Sequence, residues 1–302
     1  MTSVAPSTAA EIALPGPIDP SETFYFRSKD GQRLYGELFR PESDPRGSVL
    51  LLHGYAEHCG RYREVAHLLV ARGFAVLGFD FRGHGRSDGQ RGFVARFVHY
   101  LDDMDAALDE LDQRAGRSLR RFLVAHSNGA LTALRALADP WRVPDRLEFA
   151  VLSSPFLGLK LAVSPVKSLV GRVASLAMPS LTMPNELKVE HLTRDPTKRR
   201  ERELDTLCHD VASARWFTEA QATQEWVLEF AHRVALPTLW LVGGHDQIAE
   251  PESARLVNSR LEAESEYHHL DDFEHEVFNE IERGRPLALL SDYVDRHFPQ
   301  QD

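Results

Sequence analysis

The sequence predicts an α/β fold: a mostly parallel, eight-stranded sheet with helices on both faces and an inserted helical cap. Three observations carry that reading. Short, continuous apolar runs of strand length alternate with longer stretches of helical period, the pattern of parallel strands buried on both faces. The alternation stops at Pro155 and resumes at Leu236. Before that break one apolar run, Phe122 to Val124, turns into a helix with Ser127 at the corner and no intervening loop.

In chain order, residues 1–20 are rich in Ala, Ser, Thr and Pro. They lack the basic start and apolar middle of a secretory signal, and read as a disordered tail. The first part of the core covers residues 21–155. Thr23 to Arg27 and Arg33 to Arg40 are strands around the Asp30-Gly31 turn, a hairpin signal. Ser48 to Leu52 is a buried strand that runs into His53-Gly54-Tyr55. Arg61 to Arg72 is a helix, and Phe74 to Phe79 a strand closing on a glycine-marked polar turn at residues 80–87. From Phe93 to Gln113, Phe93, Phe97, Leu101, Met104, Leu108 and Leu111 recur at helical spacing, which gives one face to the sheet. The corner strand, a helix from Asn128 to Ala138 and a strand from Leu147 to Ser153 follow.

Residues 156–232 are the expected helical cap. Phe156 to Leu187 is apolar and interrupted by prolines, while Val189 to His232 is charged and helical. Lys198, Arg199, Arg200 and Arg202 are interleaved with Glu201, Glu203 and Asp205, so they read as a solvated helix face. The second part of the core, residues 233–302, holds a strand at Pro237 to Val242 and a helix at Glu252 to Leu261. A strand at Glu266 to Leu270 and a closing amphipathic helix at Arg285 to His297 complete it.

The corner serine is the chemical centre. A strand that reverses into a helix without a loop forces its corner residue into a sparsely allowed conformation, and small neighbours must admit the close approach. Ala125 and Gly129 flank Ser127 at the spacing of the G-x-S-x-G nucleophile elbow, with alanine in the first glycine position. The amide of Asn128, at the positive end of the new helix, and that of Tyr55, after another parallel strand, are candidate oxyanion donors. A serine hydroxyl needs a base, and the base needs a carboxylate to fix its tautomer. Asp246 and His275 each end a strand, and parallel strands end on one sheet edge, so residues 119 and then 29 positions apart can meet there. Asp271 and Asp272 are rival carboxylates that share the histidine's own loop. His53, His84, His126 and His245 read as loop hydrogen-bonders.

Composition bounds the partners. A formal net charge of -10 argues against a phosphate-binding surface and so against nucleic acid. Two cysteines, Cys59 and Cys208, are too few for a disulfide framework and read as inert packing residues in a cytoplasmic setting. Fourteen histidines without H-E-x-x-H or a close Cys/His set predict no catalytic metal and no cofactor. No uncharged apolar run reaches the roughly 18 residues of a membrane span. The apolar part of the cap, from Leu157 and Leu159 through Leu161, Val163, Val166, Leu169, Val170, Val173, Leu176, Met178 and Leu181 to Met183, has two readings. One is an acyl-chain tunnel whose outer face touches membranes transiently, helped by Lys160, Lys167 and Arg172, which would make the protein peripheral. The other is a seal between cap and sheet.

The segments HGYAEHCGRY, DFRGHGRSDGQRG, AHSNG, GGHD and FEHEVFNE, in that order and spacing, resemble the monoacylglycerol lipase and lysophospholipase branch of the α/β hydrolase superfamily. The resemblance runs from about Glu22 to the end of the chain and includes MPSLTMPNEL and HLTRD in the cap. It implies that Ser127 is the nucleophile, Asp246 the acid and His275 the base, with the amides of Tyr55 and Asn128 as the oxyanion hole. It also implies hydrolysis of small lipid-like esters, such as monoacylglycerols or lysophospholipids, through an acyl-enzyme. Three positions depart from the family pattern. Ala125 stands for glycine, Asn128 for methionine, which makes the pocket floor more polar, and Tyr55 for a small residue, whose ring would narrow the acyl channel or alcohol site. Another esterase, lactonase or acyltransferase on this scaffold, or a binding protein that kept only the fold, are the alternatives.

Overall fold

Eight strands form one sheet in the order β1-β2-β4-β3-β5-β6-β9-β10, antiparallel at β1-β2 and β2-β4 and parallel from β4 onward. They are β1 (Glu22–Arg27), β2 (Arg33–Phe39), β3 (Gly47–Leu52), β4 (Phe74–Asp80), β5 (Arg121–His126), β6 (Leu147–Ser153), β9 (Thr238–Gly243) and β10 (Ser265–Leu270). The helices of the core are α1 (Arg63–Val70), α2 (Val98–Ala115), α3 (Asn128–Leu137), α7 (Pro251–Asn258) and α8 (Gly284–His297). This computed structural model describes residues 14–142, 147–160, 165–185 and 187–299, the side chains of residues 165–170 excepted.

The central strands are buried along their whole length because both faces are covered. Alternate residues of β3 go to opposite sides: Leu50 and Leu52 join a cluster with Leu101, Met104 and Leu134 of α2 and α3, while Val49 and Leu51 join Leu68, Leu69, Leu290 and Val294 of α1 and α8. Each such side chain contributes roughly 1.5–3 kcal/mol of burial. The effect is a rigid edge on which the loops after β3, β5, β9 and β10 are held.

Between β6 and β9 lie α4 (Pro165–Ala177), β7 (Thr182–Pro184), α5 (Pro196–Leu204), β8 (Val211–Ser213) and α6 (Ala214–Phe230). The sequence offered no strand here, yet β7 and β8 pair as a short antiparallel ribbon. Three-residue strands, one ending in Pro184, carry too little alternation to be legible. The long helix α6 packs on α3 and carries α4 on its outer side. Two other boundaries differ from expectation. A short 3-10 helix, Cys59–Tyr62, precedes α1, and α2 starts at Val98, although Phe97 is buried as expected. The side chains of Leu161, Val163, Val166, Lys167, Leu169 and Val170 lie outside the described residues, as do residues 1–13 of the expected tail. No helix of the described residues is long and apolar enough to cross a membrane.

Candidate active site

Ser127 sits between the last residue of β5 and the first of α3 with φ 51° and ψ −115°, a left-handed conformation that a serine adopts only when its surroundings enforce it. The enforcement is visible. Its N–H donates to Ser153 O (2.9 Å) on the next strand, and its carbonyl accepts the N–H of Leu131 (3.0 Å), which starts the helix, and of Phe156 (3.1 Å). Gly129 is required here: a Cβ there would stand 2.5 Å from His53 O and 2.6 Å from Leu52 O. The elbow therefore presses directly on the loop after β3, where a Cβ on Gly54 would in turn meet Ser127 Cβ at 3.2 Å.

The three distant groups converge. His275 Nε2 lies 2.8 Å from Ser127 Oγ, and His275 Nδ1 lies 2.6 Å from Asp246 Oδ2. Asp246 divides its labour: Oδ1 accepts the N–H groups of Ile248 (2.8 Å) and Ala249 (2.9 Å), which caps its own turn and leaves Oδ2 for the imidazole. A carboxylate at Nδ1 fixes that nitrogen as N–H and leaves Nε2 free to accept the hydroxyl proton. All three residues are buried. Burial pulls the His275 imidazole down, but the Asp246 carboxylate, with Glu276 and Glu57 behind it, outweighs burial and raises it above the ordinary histidine value. Burial, His275 and Arg61 hold the neighbouring His126 well below that value, so it stays neutral beside the relay while bonding to Ser153 Oγ at 3.0 Å.

The loop after β3 is pinned at every residue. His53 Nδ1 donates to Gly54 O (2.7 Å) and its Nε2 accepts from Phe81 N (3.0 Å). Gly54 N donates to Glu57 Oε1 at 2.5 Å, and Tyr62 Oη donates to the same oxygen at 2.6 Å. Ala56, at φ 65°, turns the chain so that its carbonyl accepts from His209 N and Arg202 Nη2, both at 3.2 Å. Among the described residues the N–H groups of Tyr55 and Asn128 have no protein acceptor, as a developing oxyanion would require.

Two departures from the family pattern have definite structural outcomes. The Tyr55 ring stacks on Trp216 at 3.7 Å between centroids, and its hydroxyl donates to Val211 O at 2.8 Å. It is thus taken up in the wall between α6 and the loop after β3, where the sequence suggested a narrowed channel. Asn128 is buried, and both Oδ1 and Nδ2 lack a partner among the described residues, which makes this point beside Ser127 polar and unsatisfied.

A network absent from the sequence reading supports the relay. Arg61 donates from Nε to Glu57 Oε2 (3.1 Å) and from Nη2 to Glu276 Oε2 (2.5 Å), and Asn279 adds a bond to Glu276 at 2.9 Å. Arg61 overcomes burial and lowers the Glu276 carboxyl. The side chains of Arg61, Glu57 and Glu276 are 8%, 5% and 4% exposed, so the cation neutralises two carboxylates that water does not reach freely. Arg61→Ala is expected to cost about 3–5 kcal/mol of stability, because it strands two buried anions. Urea unfolding of the variant checks this. The basic run of the cap is also less solvated than expected: Lys198 pairs with Glu64 at 2.7 Å and Arg202 reaches Ala56 and His209.

A sequence profile described as serine aminopeptidase, S33 matches residues 43–282. The chain is 30% identical to a monoacylglycerol lipase of Mycolicibacterium smegmatis over 276 residues, covering 90% of this chain and 96% of that protein. It is 28% identical to a phospholipase of Bacillus subtilis, over 84% of this chain and 96% of that protein. Among solved structures, the monoacylglycerol lipase of Paleococcus ferrophilus superposes with a TM-score of 0.78 at 30% identity, covering 87% of this chain and 99% of that one. A monoglyceride lipase variant from Saccharomyces cerevisiae, TM-score 0.80 at 17% identity over 98% and 99% of the two chains, shares the fold.

Proposed function

The chain belongs to the serine aminopeptidase, S33 family and to the monoacylglycerol lipase branch of the α/β hydrolases, and on that footing we propose that it hydrolyses lipid carboxylic esters, monoacylglycerols foremost, with Ser127 as nucleophile. The observation that carries this reading is the relay from Ser127 Oγ through His275 to Asp246, at 2.8 and 2.6 Å. His275 takes the serine proton as Oγ attacks the ester carbonyl. The amides of Tyr55 and Asn128 hold the oxyanion, His275 protonates the departing alcohol, and water deprotonated by the same imidazole releases the acid. Residues 156–232 act as a cap over this edge.

The relatives named lipase and phospholipase favour an ester over a peptide substrate, and so does the charge distribution. An aminopeptidase must pair a carboxylate with the substrate's free ammonium. Here the two carboxylates that act on the His275 imidazole besides Asp246, Glu276 and Glu57, are already paired with Arg61. The test is a product panel of monoacylglycerols, lysophospholipids, short aryl esters, lactones and aminoacyl amides, with Ser127→Ala as the blank. Release of fatty acid from monoacylglycerols as the fastest reaction supports the reading, and turnover confined to lactones or aminoacyl amides contradicts it.

A second observation favours transient contact with a lipid surface. Leu157 is buried against the core, as a seal would be. In contrast Val173, Leu176, Met178, Leu181 and Met183 are each more than half exposed, Leu176 most of all at 76%. Arg172 is exposed beside them, while Lys160 is engaged with Glu250 at 3.3 Å. An apolar face of this kind lies favourably in a membrane interface. Leu176→Asp is expected to lower binding to phospholipid vesicles by about tenfold, the scale of one buried leucine. Turnover of a dissolved short-chain ester should be unchanged. Co-sedimentation and an ester assay check the pair.

A further inference from the structure

We propose that His58, Asp205 and Cys208 form a binding site for a divalent ion of the Zn2+ class, which clamps the cap onto the loop that carries the Tyr55 amide. His58 follows that loop, and Asp205 and Cys208 share one turn after α5, where Cys208 N donates to Asp205 O at 3.3 Å. A ring nitrogen of His58, a carboxylate oxygen of Asp205 and Cys208 Sγ all lie within 4.8 Å of one another. Tetrahedral zinc with bonds of about 2.0–2.3 Å separates its ligands by about 3.5 Å. The His58 Nε2 to Asp205 Oδ2 pair, now at 2.6 Å, would open by about 1 Å and Cys208 would close by a similar amount.

The donor set selects the ion. One nitrogen, one oxygen and one sulfur suit Zn2+ or Co2+, whereas Mg2+ and Ca2+ require oxygen ligands. Asp205 is oriented for ligation, since its Oδ1 accepts the Leu207 N–H at 2.9 Å, which turns Oδ2 toward His58. A cleft of about 270 Å³, lined by His58, Gly60, Asp205, Arg61, Glu64 and Lys198, gives the ion a way in. The charges balance: a dication with one carboxylate and one thiolate is neutral, which a partly buried position tolerates.

Two costs are visible. Burial outweighs the nearby Arg202 and Arg61 cations and pushes the Cys208 thiol up to about 12, so binding must expel a proton. Coordination by Nε2 also places the imidazole proton on Nδ1, which gives up the 3.2 Å bond from Gly60 N. Gly60 is half-buried and can turn that N–H to water.

The experiment uses the full chain, stripped with a chelator and titrated with Co2+ and with Zn2+ in competition with a chromogenic chelator. One equivalent of Co2+ should give a thiolate-to-cobalt charge-transfer band that is absent in Cys208→Ser and present in Cys59→Ser. Zn2+ affinity should rise about tenfold per pH unit as one proton is released. It should fall in Cys208→Ser by more than the roughly 10–100-fold that loss of an outer-shell partner costs. Asp205→Asn, which keeps the side-chain shape, should show the same loss and serves if the serine variant is poorly folded. Stoichiometric uptake without the band, equal affinity in Cys208→Ser, or no uptake at all overturns the proposal. Equal affinity would place the ion elsewhere, for example at His269 and Asp271, 3.6 Å apart on the last sheet edge. None of these readouts depends on ester hydrolysis, so the result is independent of the proposed activity.

Discussion

Ser127→Ala is expected to lower turnover of a monoacylglycerol by about 10⁴–10⁶-fold, with the folded structure retained. The magnitude follows from what the hydroxyl does. Without Oγ no acyl-enzyme forms, and His275 can at best activate water toward a bound ester, aided by the two amides. The fold should not suffer, since the hydroxyl's partner is His275 Nε2 and the elbow is held by backbone bonds to Ser153, Leu131 and Phe156. Steady-state kinetics with a melting curve on the same preparation check both halves. Activity within tenfold of wild type would remove Ser127 from the chemistry.

Asp246→Asn is expected to lower kcat by about 10⁴-fold, because an amide can donate to Nδ1 and turn the imidazole to the wrong tautomer. It should also move the pH profile. In the wild type the base must be neutral, so the rate falls as pH drops through the His275 value. That value stands above the ordinary histidine midpoint of about 6.5, because the Asp246 carboxylate outweighs burial. With the carboxylate gone, burial acts on the imidazole with less opposition. The acid limb of the residual activity should therefore shift toward lower pH. An unchanged acid limb would mean that another group, not His275, sets the profile.

The fold and the three relay positions were legible because each leaves a strong local mark. Parallel strands such as Val49 to Leu52 read as continuous apolar runs; Ser127 and Asp246 each follow such a run, and His275 follows the half-buried strand Ser265–Leu270. Topology then brings strand ends together however far apart they lie in the chain. Charged residues that are buried in pairs leave no such mark. Glu57 and Arg61 look like an ordinary surface i,i+4 pair, and only the position of Glu276, directly after His275, hinted that Arg61 bridges two loops. The side-chain direction of Tyr55 was equally hidden, since it depends on Trp216 and Val211 from the cap, more than 150 positions away. The β7-β8 ribbon was missed because its strands are too short to show a period.

The most direct measurement is covalent labelling with a fluorophosphonate, followed by peptide mass spectrometry, across wild type, Ser127→Ala, His275→Ala and Asp246→Asn. The expected result is a single adduct on Ser127 in the wild type, absent without the serine and slowed by orders of magnitude without the histidine or the carboxylate. An unmodified Ser127, or labelling as fast in His275→Ala as in the wild type, would contradict the hydroxyl, imidazole and carboxylate acting as one unit.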